Sequence, residues 1–281
     1  MEDRKLKEIE HSRKRRSILQ GFERIADTND NSQVENLAEL VSSNSDFEYH
    51  FSNMKYYSVT KSSEEYKHKW LQDNLKFHNQ KLLDFACGSG ENGIYGAQIG
   101  YAVDAIDISP EGIENCKKNA FSMSVSENTN FEVMDGEKMS FPDDYFDTGI
   151  EYGALHHVDL PIALKELARV LKPDAKMLCI EALRHNPIIH AYRKRTPHLR
   201  TEWEVEHILG VESLKIMKDY FSEVNVRFFH LTSLALVPIR KTPAFNFILP
   251  ILDRIDSILL SNQFIGKYAW IMAVELSNPK K

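Results

Sequence analysis

The sequence is poor in cysteine and has no C-x-x-C pair. Its 281 residues include three cysteines, Cys87, Cys116 and Cys179. The first residues, "MEDRKLKEIEHSRKRR", contain no apolar core of the kind that a secretory signal needs. We therefore expect a reducing, cytoplasmic compartment. No metal site is predicted.

The sequence also lacks an excess of positive charge and an uninterrupted apolar run. Its formal net charge is -6, with 42% hydrophobic and 27% charged residues, as in an ordinary globular protein. This acidity disfavours nucleic acid as the main partner. The longest apolar stretch, residues 242–260, is interrupted by Pro250, Asp253, Arg254 and Asp256, whereas a membrane span needs about 20 apolar residues. No transmembrane helix is predicted.

What the chain does have is an alternation of strands and helices that begins near residue 64. The predicted strands are 81–86, 101–107, 130–135, 145–152, 175–183, 223–231 and 268–276. The predicted helices are 64–75, 91–100, 110–123, 160–171 and 212–221. This alternation predicts a parallel sheet with helices on both faces and one principal core.

The first 50 residues are polar and rich in charge. They carry a basic run, Arg13 to Arg16, and a loop-like segment at 27–33. We interpret this region as a solvated helix and linker, and contact with an acidic or membrane surface is the alternative.

A glycine-rich loop follows the first predicted strand. Gly88, Gly90 and Gly93 match the G-x-G-x-x-G spacing of dinucleotide-binding proteins. Asp84, however, ends the strand, where its carboxylate would repel a pyrophosphate and attract a cation. S-adenosylmethionine (SAM) has no phosphate and carries an ammonium and a sulfonium, and small residues such as Ala86 let the backbone approach it closely. SAM is therefore favoured over NAD, with its carboxylate at the helix start.

Acidic residues also follow the next two strands. Asp107 lies 17 residues beyond Gly90, where an acid accepts hydrogen bonds from both ribose hydroxyls of an adenosine, in SAM or in NAD. Asp135 and Gly136 follow the third strand, where a short polar side chain would meet the adenine amino group. A structural turn is the alternative for this pair.

Five segments in a row resemble the successive motifs of class I SAM-dependent methyltransferases. They are "LLDFACGSGENGI", "VDAIDIS", "FEVMDGEKMSFPDDYFD", "EYGALHHV" and "ELARVLKPDAK", within residues 80–182. The resemblance implies a Rossmann-like α/β fold with a seven-stranded, mostly parallel sheet whose last strand is antiparallel. Ala86 and Asp174 stand where the family usually has glycine, and both are compatible with the expected turns.

The resemblance also implies a domain organisation and a set of cofactor residues. Residues 1–63 would be a helical extension and cofactor lid, and 64–281 the methyltransferase domain, with insertions at about 184–211 and 231–266 that cap the acceptor site. The residues expected at SAM, or at its product S-adenosylhomocysteine (SAH), are Tyr56, Tyr57, Asp84, Ala86, Cys87, Gly88, Gly90, Asp107, Ile108, Asp135, Gly136 and Tyr152. For Tyr56 and Tyr57, simple packing is the alternative.

Two histidines follow the fourth strand, at the sheet edge where ligands bind in open α/β folds. His156 or His157 would deprotonate an acceptor hydroxyl near neutral pH. The alternative is structural hydrogen bonding, because the "LHHV" stretch is frequent in the family without a fixed catalytic role.

The segment after the fifth strand, residues 184–200, is rich in Arg, Lys and His and contains no Asp or Glu. It leaves the sheet at the edge where SAM is expected, so we predict an anionic acceptor. The candidate acceptor-binding residues are Glu181, Arg184, His185, Tyr192, Arg193 and Arg195. The alternative is a basic surface loop whose charge is balanced by the acidic segment "TEWEVEH" that follows it.

Residues 231–266 supply much apolar surface. They would form a lid for a greasy acceptor, such as an isoprenoid, a lipid or a secondary metabolite, or else, through 244–266, a dimer face or a membrane-surface contact. The predicted function is SAM-dependent O- or C-methylation of a small anionic or apolar acceptor. The alternatives are a SAM-binding regulatory or scaffold protein without transferase activity and, least favoured, an NAD-dependent oxidoreductase.

Overall fold

In a computed structural model, which describes residues 2–27, 49 and 51–281, the chain folds around one seven-stranded sheet. The strands are β1 (Lys81–Phe85), β2 (Ala102–Asp107), β3 (Thr129–Val133), β4 (Phe146–Tyr152), β5 (Leu171–Ala182), β6 (Phe221–Phe229) and β7 (Ile271–Pro279). The helices are α1 (Asp3–Asp27), α2 (Lys61–Asn74), α3 (Glu91–Ile99), α4 (Pro110–Ser122), α5 (Leu160–Val170), α6 (Pro187–Arg195), α7 (Glu202–His207), α8 (Ser213–Tyr220), α9 (Pro243–Leu259) and α10 (Gln263–Gly266). The predicted loop at 28–33 lies outside the described residues.

The sheet has the strand order β3-β2-β1-β4-β5-β7-β6. The strands β1 to β5 are parallel, and β7 runs antiparallel between β5 and β6. Asp84 of β1 lies level with Ile150 of β4, and Phe85 level with Ile106 of β2. The carboxyl ends of these strands therefore meet at one edge, where open α/β sheets bind ligands. The predicted fold class is confirmed.

Two hydrophobic cores lie on opposite faces of the sheet, because successive side chains of a strand point to opposite sides. Leu82 joins one core and Leu83 the other, and both are fully buried. Burying a leucine side chain is worth about 1.5–3 kcal/mol, so this strand alone anchors both layers. On the second face, α5 begins where Asp159 accepts a hydrogen bond from the Ile162 amide, and it buries Leu164.

The segment between β6 and β7 is held against the sheet by α9. Asp256 of α9 is buried and accepts hydrogen bonds from three consecutive backbone amides, those of Leu231, Thr232 and Ser233. The outer face of α9 exposes Phe247 and other apolar side chains. In the described part of the chain, no helix combines the length and the apolar character that crossing a membrane requires.

Candidate active site

The glycine-rich loop turns sharply between β1 and α3. Ala86, Gly88 and Gly90 all have positive φ, at 53°, 60° and 84°. This left-handed region is open to glycine and costs an L residue roughly 1–2 kcal/mol, which explains why glycine is usual where this chain has Ala86. A Cβ on Gly88 would meet nothing within 4 Å, so open space borders the backbone there.

Asp84 lies fully buried beneath this loop. Its Oδ2 accepts a hydrogen bond of 2.8 Å from the amide of Gly93, in the first turn of α3. Burial raises the pKa of Asp84 to about 7, although the Gly93 amide opposes the shift. Gly93 itself is packed tightly, since an added Cβ would lie 3.0 Å from Asp84 Oδ2. Asp84 therefore supports the loop from below.

Asp107 organises the next strand end. Its Oδ2 accepts from the amide of Gly88 at 2.9 Å, and its Oδ1 accepts from the amide of Ser109 at 2.8 Å. Ser109 in turn caps α4 by accepting from the amide of Gly112. Burial raises the pKa of Asp107 against these two hydrogen bonds. The carboxylate is thus fixed in position at the cavity wall.

A cavity of about 430 Å³ opens at this carboxyl edge of the sheet. Nine of the predicted cofactor residues line it: Tyr56, Tyr57, Ala86, Gly88, Asp107, Ile108, Asp135, Gly136 and Tyr152. The other three, Asp84, Cys87 and Gly90, do not line it. Cys87 instead places its Sγ 3.7 Å from that of Cys116 in the core, and Gly90 packs on the same Cys116.

Helix α1 lies across the cavity, within the segment 1–63 for which a helical extension and cofactor lid is expected. Arg4, Glu8, His11 and Arg15 line the cavity at helical spacing, together with Lys5 and Ser12. This spacing of polar side chains on one helix face is the signal that was available in the sequence. The prediction that the basic run at residues 13–16 is solvated does not hold for two of its residues. Arg15 lines the cavity, and Arg16 donates a hydrogen bond to the carbonyl oxygen of Gly88 at 3.0 Å.

Ion pairs tie the start of α1 to the loop after β3. Lys5 Nζ lies 2.7 Å from Asp135 Oδ2 and 2.7 Å from Glu137 Oε2, and Arg4 also pairs with Glu137. Burial opposes ionisation of Glu137, but hydrogen bonds from Lys5, the Asp159 amide and Arg4 hold its pKa below the usual value. The Glu137 side chain is only 4% exposed, so these contacts are shielded from water.

His156 stands at the cavity wall after β4 and is oriented by a carboxylate. Its Nδ1 lies 2.6 Å from Oε2 of Glu181, at the end of β5, and Oε1 of Glu181 accepts from the amide of Leu155. A carboxylate accepts hydrogen bonds, so Nδ1 carries the proton and Nε2 is the free acceptor. The closest carboxylate to Nε2 is Glu204 at 4.0 Å, which Arg200 already holds.

A second carboxyl group, that of Glu151, lies next to the pair formed by Glu181 and His156. Burial and the neighbouring Glu181 raise the pKa of Glu151 well above its usual value. This direction favours the neutral form of Glu151 beside Glu181. Glu181 holds both the imidazole of His156 and the amide of Leu155.

His157 has a different environment, although its ring centroid lies 4.2 Å from that of His156. Burial disfavours its charged form, but a hydrogen bond to Glu8 of α1 and the nearby Glu204 raise its pKa. Nδ1 lies 3.0 Å from Glu8 Oε2. The two predicted catalytic histidines therefore have different partners, Glu181 of β5 for His156 and Glu8 of α1 for His157.

The predicted acceptor-binding residues divide into two groups. Glu181, Tyr192 and Arg193 line the cavity, and Arg184, His185 and Arg195 do not. Arg184 and His185 pair with Glu212 at the surface, and Arg195 is exposed.

The lining also includes residues that the sequence did not predict, namely Asn53, Arg200, Glu204 and Ile208. No residue of 231–266 lines the cavity. The cap of the cavity is therefore formed by α1 and by residues 187–208.

Comparison with known families agrees with this geometry. The model of the methyltransferase domain family matches residues 83–179. These residues are a methyltransferase domain. The ubiquinone/menaquinone biosynthesis C-methyltransferase UbiE of Rickettsia massiliae is 36% identical over 110 residues, which are 37% of this chain and 44% of that protein. UbiE of Rickettsia akari is 34% identical over 110 residues. The chain thus spans less than half the length of the curated relatives it matches.

Solved structures place the methyltransferase domain in the expected fold. A sarcosine dimethylglycine methyltransferase from Galdieria sulphuraria has a TM-score of 0.51 at 16% identity and covers 75% of this chain and 84% of its own. The geranyl diphosphate C-methyltransferase from Streptomyces coelicolor has a TM-score of 0.51 at 13% identity, with coverages of 76% and 80%. The resemblance to class I SAM-dependent methyltransferases is confirmed.

Proposed function

We propose that this protein is a SAM-dependent methyltransferase that methylates a hydroxylated small molecule, at oxygen or at the activated carbon beside it. The observation that carries the proposal is the presence of two elements in one cavity. One is the Gly88 and Asp107 cradle expected for SAM, and the other is His156, whose Nε2 is free to accept a proton.

The residues of the cradle fit SAM. Open space lies over Gly88, and Asp107 presents its carboxylate to the cavity where two ribose hydroxyls would donate. Asn53 also lines the cavity, and its buried Oδ1 has no hydrogen-bond partner among the described residues, so it is available to a donor such as the SAM ammonium. Gly136 leaves room for the Phe85 ring at the cavity wall, because an added Cβ would lie 2.5 Å from that ring.

When bound, SAM supplies an electrophilic methyl group. The chain then has to orient the acceptor, exclude water and receive the acceptor proton. Nε2 of His156 accepts that proton, and Glu181 stabilises the resulting imidazolium through Nδ1 at 2.6 Å. Residues of α1, Tyr56 and Tyr57 line the cavity and would restrict the access of water to the acceptor.

The first experiment tests the cofactor with the purified full chain. Calorimetric titration with SAH and with NAD should show binding of SAH and none of NAD. Tight NAD binding without SAH binding would refute the proposal.

The second experiment tests the base. Transfer of radiolabelled methyl from SAM to a panel of phenols and hydroxy acids is compared for the wild type and His156→Gln. We expect a loss of about 10²–10⁴-fold in turnover with SAH affinity retained. His190→Gln is the matched control, because His190 is exposed on α6 and does not line the cavity. SAH binding without transfer to any acceptor would instead indicate a SAM-binding regulatory or scaffold protein.

A further inference from the structure

Two arginines line the cavity without a carboxylate partner among the described residues. Arg15 comes from α1 and Arg193 from α6, and both line the cavity. Arg193 donates to the carbonyl oxygen of Leu183 at 2.9 Å, and Arg15 lies over the ring of Phe51 at 5.3 Å. Neither forms an ion pair with a carboxylate of the described residues.

The acidic groups near these arginines already have partners. Glu204 pairs with Arg200 at 3.2 Å, Glu181 with His156 at 2.6 Å, and Glu8 with His157 at 3.0 Å. Arg15 and Arg193 therefore have no carboxylate of the described residues paired with them, although Glu204 acts electrostatically on both. Burying a charge without a partner is unfavourable, and an anionic ligand removes that penalty.

The effect of burial appears in both guanidinium groups. Burial lowers the pKa of Arg193 to about 10, and the charge of Arg200 adds to the shift. Burial also lowers the pKa of Arg15. Tyr57, Arg200 and Glu204, which also line the cavity, act electrostatically on both arginines.

Arg15 and Arg193 are separate from the cradle of Gly88 and Asp107 that is expected to hold the cofactor. Arg16, not Arg15, contacts the glycine loop, through the Gly88 carbonyl oxygen and Ser89 Oγ. Arg193 instead lies beyond β5 and near Glu181, the residue that orients His156. The unpaired charge thus lies on the side of the cavity that holds the proposed base.

Aromatic rings surround the same space. Tyr56 meets Tyr192 edge to face at 4.9 Å, and Tyr57 meets Trp270 at 5.4 Å. All four rings line the cavity. Such walls suit a flat apolar body, and arginine forks suit a carboxylate or a phosphate.

We propose that Arg15 and Arg193 bind a carboxylate or phosphate of the methyl acceptor, so that the substrate is an anion with an aromatic or otherwise apolar body that carries a hydroxyl group. This inference rests on the proposed function. It assigns acceptor choice to α1 and α6, which both lie outside the matched segment 83–179.

The test uses the full chain and three probes: benzoate, phenyl phosphate and phenol. Their binding is measured by calorimetry with and without saturating SAH. We expect at least one of the anions to bind tenfold or more tighter than phenol when SAH is present, and the preferred anion identifies the acid group. Equal binding of all three, or no binding of either anion, would overturn the inference.

Variants assign the effect to the arginines. Arg193→Gln should abolish the tenfold preference for the anion and leave SAH affinity within about twofold, and Arg193→Lys should retain part of the preference. Lys194→Gln is the matched control, because Lys194 is exposed on the same helix. If Arg193→Gln weakens SAH binding as much as anion binding, the arginine serves the cofactor and the inference is wrong. If the wild-type protein binds the anions but does not bind SAH, both the acceptor role and the proposed function are refuted. If it binds SAH but shows no preference for the anions, only the inference is refuted.

Discussion

The two halves of the cavity are built in different ways. The proposed cofactor half draws mainly on one part of the chain, residues 83–136, with backbone amides and two carboxylates after strand ends, Asp107 and Asp135, and adds Asn53, Tyr56, Tyr57 and Tyr152. The acceptor half brings together α1, α6 and α7 with the end of β5, elements far apart in the sequence. One half is therefore local and dominated by the backbone, and the other is assembled from distant side chains.

From this difference we predict that acceptor specificity resides in the acceptor half. A loop of amides and small residues recognises what every SAM molecule has in common, and it needs few side chains. The acceptor half uses charged and aromatic side chains, which change without disturbing the sheet. Helix α1 is common to both halves, because Lys5 pairs with Asp135 and Glu8 pairs with His157.

The largest effect is expected for Glu137→Gln, which breaks the link between α1 and the cofactor half. Removing one partner of a buried ion pair costs about 3–5 kcal/mol, and here Arg4 and Lys5 both lose their buried carboxylate, while Lys5 keeps Asp135. Hydrogen exchange should report faster exchange in residues 3–16, with the strands unchanged. Glu10→Gln is the control, since it removes the same charge from an exposed position of α1. Equal exchange in both variants would mean that α1 is held in another way.

The next effect concerns the cofactor half alone. Asp107→Ala should lower SAH affinity by about 1–3 kcal/mol, the scale of losing charge-assisted hydrogen bonds. Asp104→Ala is the control on the same strand, because Asp104 bonds to Asn130 outside the cavity. Calorimetry with SAH measures both. An unchanged affinity for Asp107→Ala would place the ribose elsewhere.

The third prediction uses the pH dependence of the unfolding free energy to test the contact between α1 and the acceptor half. The pKa of His157 is raised, so the stability from its pair with Glu8 is fully present below the ordinary histidine value of about 6.5. This stability is lost as pH rises through the raised value. The pKa of Glu8 is lowered, so its contribution is lost only as pH falls through that lowered value. The difference in unfolding free energy between wild type and His157→Gln should therefore shrink from about pH 6 to alkaline pH. A constant difference would contradict the ion pair.

The smallest effect concerns the loop backbone. Ala86 holds a φ of 53°, so Ala86→Gly should raise the unfolding free energy by up to about 1 kcal/mol, because glycine adopts this conformation without strain. Ala97→Gly, inside α3, should lower it by about 1 kcal/mol. Chemical denaturation of both variants measures the two signs. A loss of stability for Ala86→Gly would show that the loop is not strained.

Much of the cofactor half was predictable because its signals are local. Strand ends, glycine spacing and acidic residues such as Asp107 follow one another within short distances, and the sheet register brings them together. Asp84, Cys87 and Gly90 share the motif yet lie outside the lining, since a sequence pattern does not show which side of a tight loop faces a cavity. Arg184, His185 and Arg195 were chosen by charge, and the direction of each side chain on α6 and the preceding turn placed them elsewhere.

The sequence by itself determined the order of the strands and helices, the alternation that buries both faces of the sheet, and the carboxylates at the strand ends. The tertiary structure alone decided which side chains of α1 face the cavity, that Glu181 orients His156 while Glu8 pairs with His157, and that Arg15 and Arg193 line the same cavity. The physical reason is the distance along the sequence over which each kind of interaction acts. Propensity and periodicity act over a few residues, whereas these pairs join groups 25 to 178 positions apart, which only packing brings together.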